Sequence, residues 1–249
     1  MRDAALALLY PSRCRVCEAS VESWRDGVAC ARCWEAADAA EARRRRCEKC
    51  ALPLPAKSTA DRCGACEGFA FARAAACGAY RGPLRESILW LKRHPQIAPR
   101  LQEALRAAFA LLATEAPIDA LVPVPLHAAR AAERSYNQAE ILARAIRGPR
   151  IDTASLVRIR PTEKHRAGMD ARDRARSMER AFLVRAPRLV EGRHLLLLDD
   201  VMTTGSTLHE AAQTLLAGGA RSVRVLTLAR AVPEFTQASP HALAIPARR

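Results

Sequence analysis

Eight of the nine cysteines in this sequence occur as four Cys-x-x-Cys pairs, and they are the first residues whose spacing indicates chemistry. In each half of the cysteine-rich segment, twelve residues separate one pair from the next. A Cys-x-x-Cys turn places two thiolates on one side of a tight loop, so that two turns complete the tetrahedral sulfur cage that zinc prefers. The spacing predicts two structural zinc sites whose ligands all come from the protein: Cys14, Cys17, Cys30, Cys33, Cys47, Cys50, Cys63 and Cys66.

The sequence leaves open how these eight thiolates are shared. Sequential pairing of the four turns is the simplest arrangement, and an interleaved pairing, disulfides or an iron–sulfur cluster are the alternatives. The apolar run Ala4–Tyr10 is too short for a signal peptide and is expected to form a short amphipathic helix. We therefore expect a cytoplasmic location, whose reducing conditions favour metal over disulfides. Cys77 lies outside the pattern and is expected to be a buried small hydrophobe.

A second candidate site is the segment His194–Thr207, where an apolar strand is predicted to end at Leu198 and to be followed by two acids, Asp199 and Asp200. A turn of small, hydroxyl-bearing residues then opens a helix. The free N–H groups at a helix N-terminus suit an anionic phosphate, and a glycine lets the backbone come close to it. Carboxylates suit ribose hydroxyls or Mg²⁺ beside that phosphate. The pattern predicts a phosphate site, with a purely structural turn as the alternative, formed by Thr203, Thr204, Gly205, Ser206 and Thr207.

Strands and helices alternate through the rest of the chain and must position this segment. Strands are predicted at residues 73–80, 118–124, 155–159, 194–198 and 222–229, and helices at residues 84–92, 97–113, 136–147 and 206–217. Such alternation indicates βαβ units, and therefore an α/β fold with a mainly parallel sheet and helices on both faces. Ligands of open α/β sheets bind at the carboxyl ends of the strands. The expected organisation is a double zinc ribbon at 1–72, an α/β domain at 73–231 and a weakly ordered tail at 232–249.

Two motifs resemble those of a known family. The Asp-Asp-x-x-x-Thr-Gly-x-Thr pattern of residues 199–207 closely resembles the phosphoribosyl-pyrophosphate (PRPP) signature of type I phosphoribosyltransferases. The run Pro123–His127, with Arg130, Arg134 and Tyr136-Asn137-Gln138, resembles a motif of the ComF family, and GntX-type proteins share the same layout. The resemblance covers roughly residues 10–230. This chain departs from the family pattern at Ser135, in the segment Thr162–His165 and at Ser177.

The resemblance implies a type I phosphoribosyltransferase-like fold that binds PRPP with Mg²⁺. It implies that Asp199 and Asp200 hold the ribose hydroxyls, directly or through the metal, while residues 203–207 hold the 5′-phosphate. The remaining contacts would come from a turn near the pyrophosphate and from a flexible flap: Val124, Arg130, Arg134, Lys164, His165 and Arg166. Residues 158–188 carry ten Lys/Arg against four acids, which suits a pyrophosphate leaving group. An exposed basic helix, a disordered loop or a nucleic-acid contact would fit the same charge.

The resemblance also implies a role in DNA uptake during natural transformation, beside an ATP-driven DNA translocase. Three hypotheses follow: a phosphoribosyltransferase with an unknown acceptor, a non-catalytic adaptor that binds single-stranded DNA, and a PRPP-sensing regulator. The net charge of +14 lies mostly after residue 72 and suits either kind of phosphate-bearing partner. The intact Asp199-Asp200 pair favours PRPP, because carboxylates repel a phosphate backbone. No apolar run approaches ~18 residues, so no membrane span is expected.

Aromatic and basic residues of the cysteine-rich segment carry a further expectation. Trp24, Trp34 and Phe69 could stack on bases, or each could cover a zinc site. Arg43–Arg46 joins the two halves of the segment and is expected to be a solvated linker, with a phosphate-backbone contact as the alternative.

Overall fold

The computed structural model describes residues 12–127, 135–160 and 181–232. Its strands are β1 (Ser12–Arg13), β2 (Ser20–Val21), β3 (Ala74–Ala79), β4 (Ala120–Pro123), β5 (Arg150–Ile151), β6 (Leu156–Arg158), β7 (Phe182–Val184), β8 (His194–Met202) and β9 (Ser222–Arg230). Its helices are α1 (Ala31–Ala42), α2 (Gly82–Leu91), α3 (Pro99–Ala113), α4 (Gln138–Ala145) and α5 (Ser206–Ala217). Helices connect β3 to β4, β4 to β5 and β8 to β9, as expected for βαβ units, whereas no described α-helix lies between β5 and β8.

Five strands form the central sheet, in the order β3-β9-β8-β4-β5, and every pairing in it is parallel. The long strand β8 lies in the middle, paired with β9 from His194 to Met202 and with β4 from Leu195 to Leu198. Strands β6 and β7 pair antiparallel as a separate hairpin, and β1 and β2 do so within the first cysteine turn. The predicted mainly parallel α/β architecture is confirmed.

The sheet is covered on both faces, which explains the unbroken leucine run in β8. Side chains alternate along a strand, so Leu195 and Leu197 enter one core while Leu196 and Leu198 enter the other. The first core contains α5, the β6–β7 hairpin and the second cysteine tetrad. The second core contains α2, α3, α4 and the first cysteine tetrad. The two halves of the cysteine-rich segment thus pack into cores on opposite faces of the sheet.

The structure corrects two element boundaries at the carboxyl edge. Strand β8 does not end at Leu198 but continues through both acids to Met202, because the equally long β9 pairs with it to the end. Helix α4 is shorter than predicted and begins after Asn137, whose side-chain Oδ1 accepts a hydrogen bond from the Ala139 N–H at 3.0 Å. This cap satisfies an N–H group that has no partner inside the helix.

In the first half of the cysteine-rich segment, α1 begins directly after Cys30 and carries Cys33 in its first turn. Trp34 is buried beside them, donates a hydrogen bond from Nε1 to the Asp26 carbonyl at 2.9 Å, and lies under the Arg100 guanidinium at 5.1 Å. Trp34 therefore covers the cysteine cluster and has no face free for a base. Among the described residues, no helix is long and apolar enough to cross a membrane.

Candidate functional site

The eight paired cysteines form two tetrads, and the sulfur atoms of each tetrad all lie within 4.8 Å of one another. Sγ–Sγ distances are 3.8 Å for Cys14–Cys33 and 3.6 Å for Cys17–Cys30 in the first tetrad. A zinc centre with Zn–S bonds of about 2.3 Å separates its sulfurs by about 3.8 Å, whereas a disulfide brings them to about 2 Å. The donor set and spacing fit tetrahedral zinc, and the pairing is sequential: Cys14, Cys17, Cys30 and Cys33, then Cys47, Cys50, Cys63 and Cys66.

Backbone donors support the thiolates of both tetrads. The Val16 N–H donates to Cys14 Sγ at 3.4 Å, and the Cys63 N–H donates to Cys47 Sγ at 3.2 Å. Such bonds stabilise the anionic form that zinc requires. Cys77 belongs to neither tetrad: it lies in β3, and burial raises the pKa of its thiol to about 12. The residue is only partly buried, and the raised pKa disfavours the thiolate, which is the reactive form, at neutral pH.

Residues 203–207, the predicted phosphate site, form the turn between β8 and the start of α5 and are here termed the phosphate loop. Gly205 is the N-terminal cap of α5 and has a φ of +86°, in the left-handed region that favours glycine. The Thr204 and Ser206 hydroxyl oxygens lie 3.0 Å apart, so these side chains hold one another across the turn. A Cβ at position 205 would lie 2.6 Å from Phe69 Cζ and 2.8 Å from Met202 Cε. Only glycine satisfies both the dihedral angle and the space.

Asp199 and Asp200 lie near the end of β8, where Val201 and Met202 separate them from this turn. Burial, with the charge of Asp200 next, raises the pKa of Asp199 to about 7, and the charges of Arg158 and Lys92 oppose this shift. Lys92 Nζ lies 3.4 Å from Asp200 Oδ2. The acid pair therefore faces two cations, which would favour the ionised form that binds a metal or hydroxyl groups.

Val124 extends this edge on the neighbouring strand. Its N–H donates to the Leu198 carbonyl at 2.9 Å, and its own carbonyl accepts a hydrogen bond from Asn137 Nδ2 at 3.0 Å. The turn after β4 is thereby held at the carboxyl edge of the sheet, next to β8 and the acid pair. The other predicted pyrophosphate and flap residues lie outside the described residues, and their roles stay predictions: Arg130, Arg134, Lys164, His165 and Arg166.

Three further residues at the phosphate loop were missed from the sequence. Lys92 ends α2, far along the chain from the acids it contacts. Arg230 ends β9 and donates from Nη1 to the carbonyls of Met202, at 2.8 Å, and Thr203. His209 in the first turn of α5 accepts a hydrogen bond at Nδ1 from the Ala70 N–H, at 3.0 Å. The one available signal was the charge of Arg230 at the end of a largely apolar strand, and Arg224 in the same strand carries the same signal.

The sequence matches two protein families. Residues 96–238 match the phosphoribosyl transferase domain family, and residues 5–83 match the double zinc ribbon domain family. Together with the parallel sheet and the two cysteine tetrads, these matches define a phosphoribosyltransferase-type domain joined to a double zinc ribbon.

Curated relatives give the narrower family. The DNA utilization protein YhgH of Salmonella typhi is 32% identical over 233 residues, which cover 90% of this chain and 99% of that protein. Competence protein F of Haemophilus influenzae is 37% identical over 117 residues, 45% of this chain and 51% of that protein. Competence protein ComFC of Bacillus subtilis is 35% identical over 111 residues, 44% of each. This chain belongs to the ComF family, as its motifs predicted.

Likeness to solved structures is weaker. A glutamine PRPP amidotransferase from B. subtilis, complexed with ADP and GMP, is 20% identical and covers 57% of this chain and 30% of its own. The TM-score of 0.34 is too low to support an argument.

Proposed function

We propose that this protein binds Mg²⁺–PRPP at the segment Asp199–Thr207 and acts in the cytoplasm during the uptake of DNA. The observation that carries the proposal is the turn itself. A strand carries two acids close to its end, a turn with hydroxyl groups follows, and a left-handed glycine then caps the start of a helix. The names of the relatives, which refer to DNA utilization and competence, support the cellular context.

Each part of the segment suits one part of PRPP. The N-terminus of α5 and the hydroxyl groups at positions 203–207 would bind the 5′-phosphate, since free N–H groups and the helix dipole favour an anion there. Asp199 and Asp200 offer carboxylate oxygens, the donors that Mg²⁺ prefers and that also accept hydrogen bonds from ribose hydroxyls. Bound Mg²⁺ would supply neutralising charge for the pyrophosphate. When the ligand is absent, the positive charges of Lys92 and Arg158 act on the acid pair.

The experiment is a calorimetric titration of Mg²⁺–PRPP into the zinc-loaded protein. We expect binding in the parent and its loss in the double variant Asp199→Asn/Asp200→Asn. The matched control is Glu35→Gln/Glu191→Gln, which removes two negative charges from exposed positions away from the loop. Binding lost in the first variant and kept in the second would support the site, and a screen of acceptors would then test for transfer. No binding in the zinc-loaded parent would refute the proposal.

A second candidate function, binding of single-stranded DNA, is favoured by a groove on another part of the molecule. The groove has a volume of about 540 Å³ and lies between the first zinc ribbon and helices α2 and α3. Trp24 lines it with 57% of its surface exposed, and Trp90 lines it under the Arg15 guanidinium at 4.7 Å. Arg13 also lines the groove, and no acid does so among the described residues. The exposed indole of Trp24 suits a stacked base, and the guanidinium groups of Arg13 and Arg15 suit a phosphate backbone. Trp90 is already stacked on His94, with ring centroids 3.6 Å apart.

Anisotropy of a labelled oligothymidylate, measured against salt concentration, tests this candidate. Two phosphate contacts would give a log–log salt slope of about −1.4 on a single strand, and Arg13→Gln/Arg15→Gln would remove it. Trp24→Ala would weaken binding while leaving the salt slope. The control Arg188→Gln/Arg221→Gln removes two exposed positive charges elsewhere. Equal losses in the control and the groove variant would reject the groove as the binding surface, and zinc content must be unchanged in each variant.

A further inference from the structure

Arg230 joins the phosphate loop to the second zinc ribbon. Its side chain is buried, with 6% of the residue's surface exposed. On one side, Nη1 donates to the carbonyls of Met202 and Thr203, at the start of the loop. On the other side, Nε donates at 3.2 Å to the carbonyl of Cys50, a ligand of the second tetrad. The guanidinium group of Arg230 is therefore hydrogen-bonded to the backbone of both sites.

The buried positive charge of Arg230 also depends on the second tetrad for its counter-charge. A guanidinium remains protonated even when buried, and it then requires a counter-charge. No carboxylate within the described part of the chain pairs with it. Four thiolates around Zn²⁺ carry a net charge of −2, so the loaded zinc centre supplies the missing negative charge.

A second path runs through Phe69. Its N–H donates to the carbonyl of Cys66, another zinc ligand, at 3.1 Å. Its ring fills the space beside Gly205, where an added Cβ would lie 2.6 Å from Cζ. The next residue, Ala70, donates its N–H to His209 in the first turn of α5. The last turn of the second ribbon thus forms the wall against which the loop and the helix N-terminus pack.

The first tetrad has a different environment. It packs with α2 and α3 on the opposite face of the sheet, where Trp34 and Arg100 cover it. No described contact joins its cysteines to residues 203–206. Within the described residues, the contacts between a zinc site and the phosphate loop therefore come from the second tetrad.

We propose that zinc at Cys47, Cys50, Cys63 and Cys66 and a phosphate ligand at residues 203–207 strengthen each other's binding, with Arg230 as the positioning residue. The proposal rests on the proposed function only for the identity of the ligand. Coupling between two sites is reciprocal, so a ligand that binds better to the zinc-loaded loop must raise the affinity of the second tetrad for zinc and so lower the zinc-free fraction that alkylation traps. The first zinc site serves as an internal control in the same molecule.

Site-resolved cysteine alkylation measures this coupling in the full-length, reduced, zinc-loaded protein. A chelator removes zinc, an alkylating reagent traps the released thiols, and peptide mass spectrometry gives a rate for each tetrad. Saturating Mg²⁺–PRPP is expected to slow alkylation of the second tetrad by about 5-fold or more, the lower end of typical coupling, and to leave the first tetrad unchanged. A separate titration establishes that PRPP binds under these conditions.

The variant Arg230→Met tests the link without any ligand. It removes the charge and the hydrogen bonds to the carbonyls of Cys50, Met202 and Thr203. Alkylation of the second tetrad should therefore become faster, while the first tetrad keeps its rate. Arg230→Lys keeps the charge and should lie between the variant and the parent. The matched control is Arg224→Met, which removes another buried arginine of β9 whose guanidinium donates to the carbonyls of Leu112 and Pro117, away from both zinc sites.

The outcomes separate the two proposals. Absence of PRPP binding in the parent would refute the proposed function, while selective loosening of the second tetrad by Arg230→Met would still support the link. PRPP that binds but protects both tetrads equally, or neither, would overturn the coupling. The coupling would also be overturned if Arg230→Met and Arg224→Met changed the two tetrads alike, because a loss of general stability would then account for the effect.

Discussion

Replacing Gly205 with alanine should damage the phosphate loop far more than its small size suggests. Residue 205 has a φ of +86°, and a left-handed conformation costs a residue with a Cβ about 1–2 kcal/mol. The new methyl group would lie 2.6 Å from Phe69 Cζ and 2.8 Å from Met202 Cε, and such overpacking typically costs about 1–3 kcal/mol. Together these effects oppose the observed loop conformation by about 2–5 kcal/mol.

The cost should appear in ligand binding rather than in global stability, because the loop can relax when nothing is bound. The lower limit of about 2 kcal/mol corresponds to an affinity about 30-fold weaker. Calorimetry with Mg²⁺–PRPP measures this loss. The double variant Gly205→Ala/Phe69→Ala removes the ring contact but keeps the backbone strain. The loss of affinity from Phe69→Ala to the double variant should therefore be smaller than the loss from the parent to Gly205→Ala.

Gly68→Ala is the matched control, since an added Cβ there meets nothing within 4 Å and the φ of Gly68 is not positive. It should bind the ligand as the parent does. Parental affinity in Gly205→Ala would refute the reasoning about the loop. An equal loss in Gly68→Ala would show that the effect comes from the segment as a whole rather than from the geometry of residue 205.

Three further predictions concern pH, packing and metal. The pKa of Asp199 is raised to about 7 from an ordinary 3.8, so the folded state binds more protons than the unfolded state between about pH 4 and 7. Stability of the ligand-free protein should therefore fall as pH rises through this window. Asp199→Asn should flatten that slope in urea titrations. Leu197→Ala should cost about 2–5 kcal/mol of unfolding free energy, because the side chain is fully buried. Leu183→Ala, at a position 52% exposed, should change it by less than about 0.5 kcal/mol, and comparable losses would contradict the assigned core. Metal analysis of freshly purified, reduced protein should find about two zinc ions per chain, and an absence of zinc would contradict both tetrads.

The cysteine tetrads and the turn around Gly205 could be predicted because their determinants are local. Two Cys-x-x-Cys turns at a fixed separation form a sulfur cage whatever surrounds them, so spacing predicted the ligands, and the structure resolved only how they pair. Residues 199–207 are continuous in sequence, and Gly205 adopts the conformation that its lack of a Cβ allows. The end of β8 was predicted wrongly because a strand continues as long as its neighbour pairs with it, which the sequence of β8 alone does not contain.

Aromatic residues show the limit of local patterns. Trp24, Trp34 and Phe69 were equivalent candidates for base stacking or for covering a zinc site. The structure leaves Trp24 exposed in a groove, buries Trp34 beside the first tetrad and places the Phe69 ring against Gly205. Burial depends on what packs over each ring, and those partners lie elsewhere in the chain.

By itself, the sequence determined the fold class and the two metal clusters, and it predicted where a phosphate would bind, since each follows from short-range spacing or from the period of apolar residues. Only the tertiary structure decided what surrounds them. Lys92 reaches Asp200 from more than a hundred residues away, and Arg230 bridges Cys50 and Thr203 from the end of the last strand of the sheet. The physical reason is that a parallel sheet brings the carboxyl ends of distant strands to one edge, where charge and hydrogen bonding, rather than order along the chain, select the contacts.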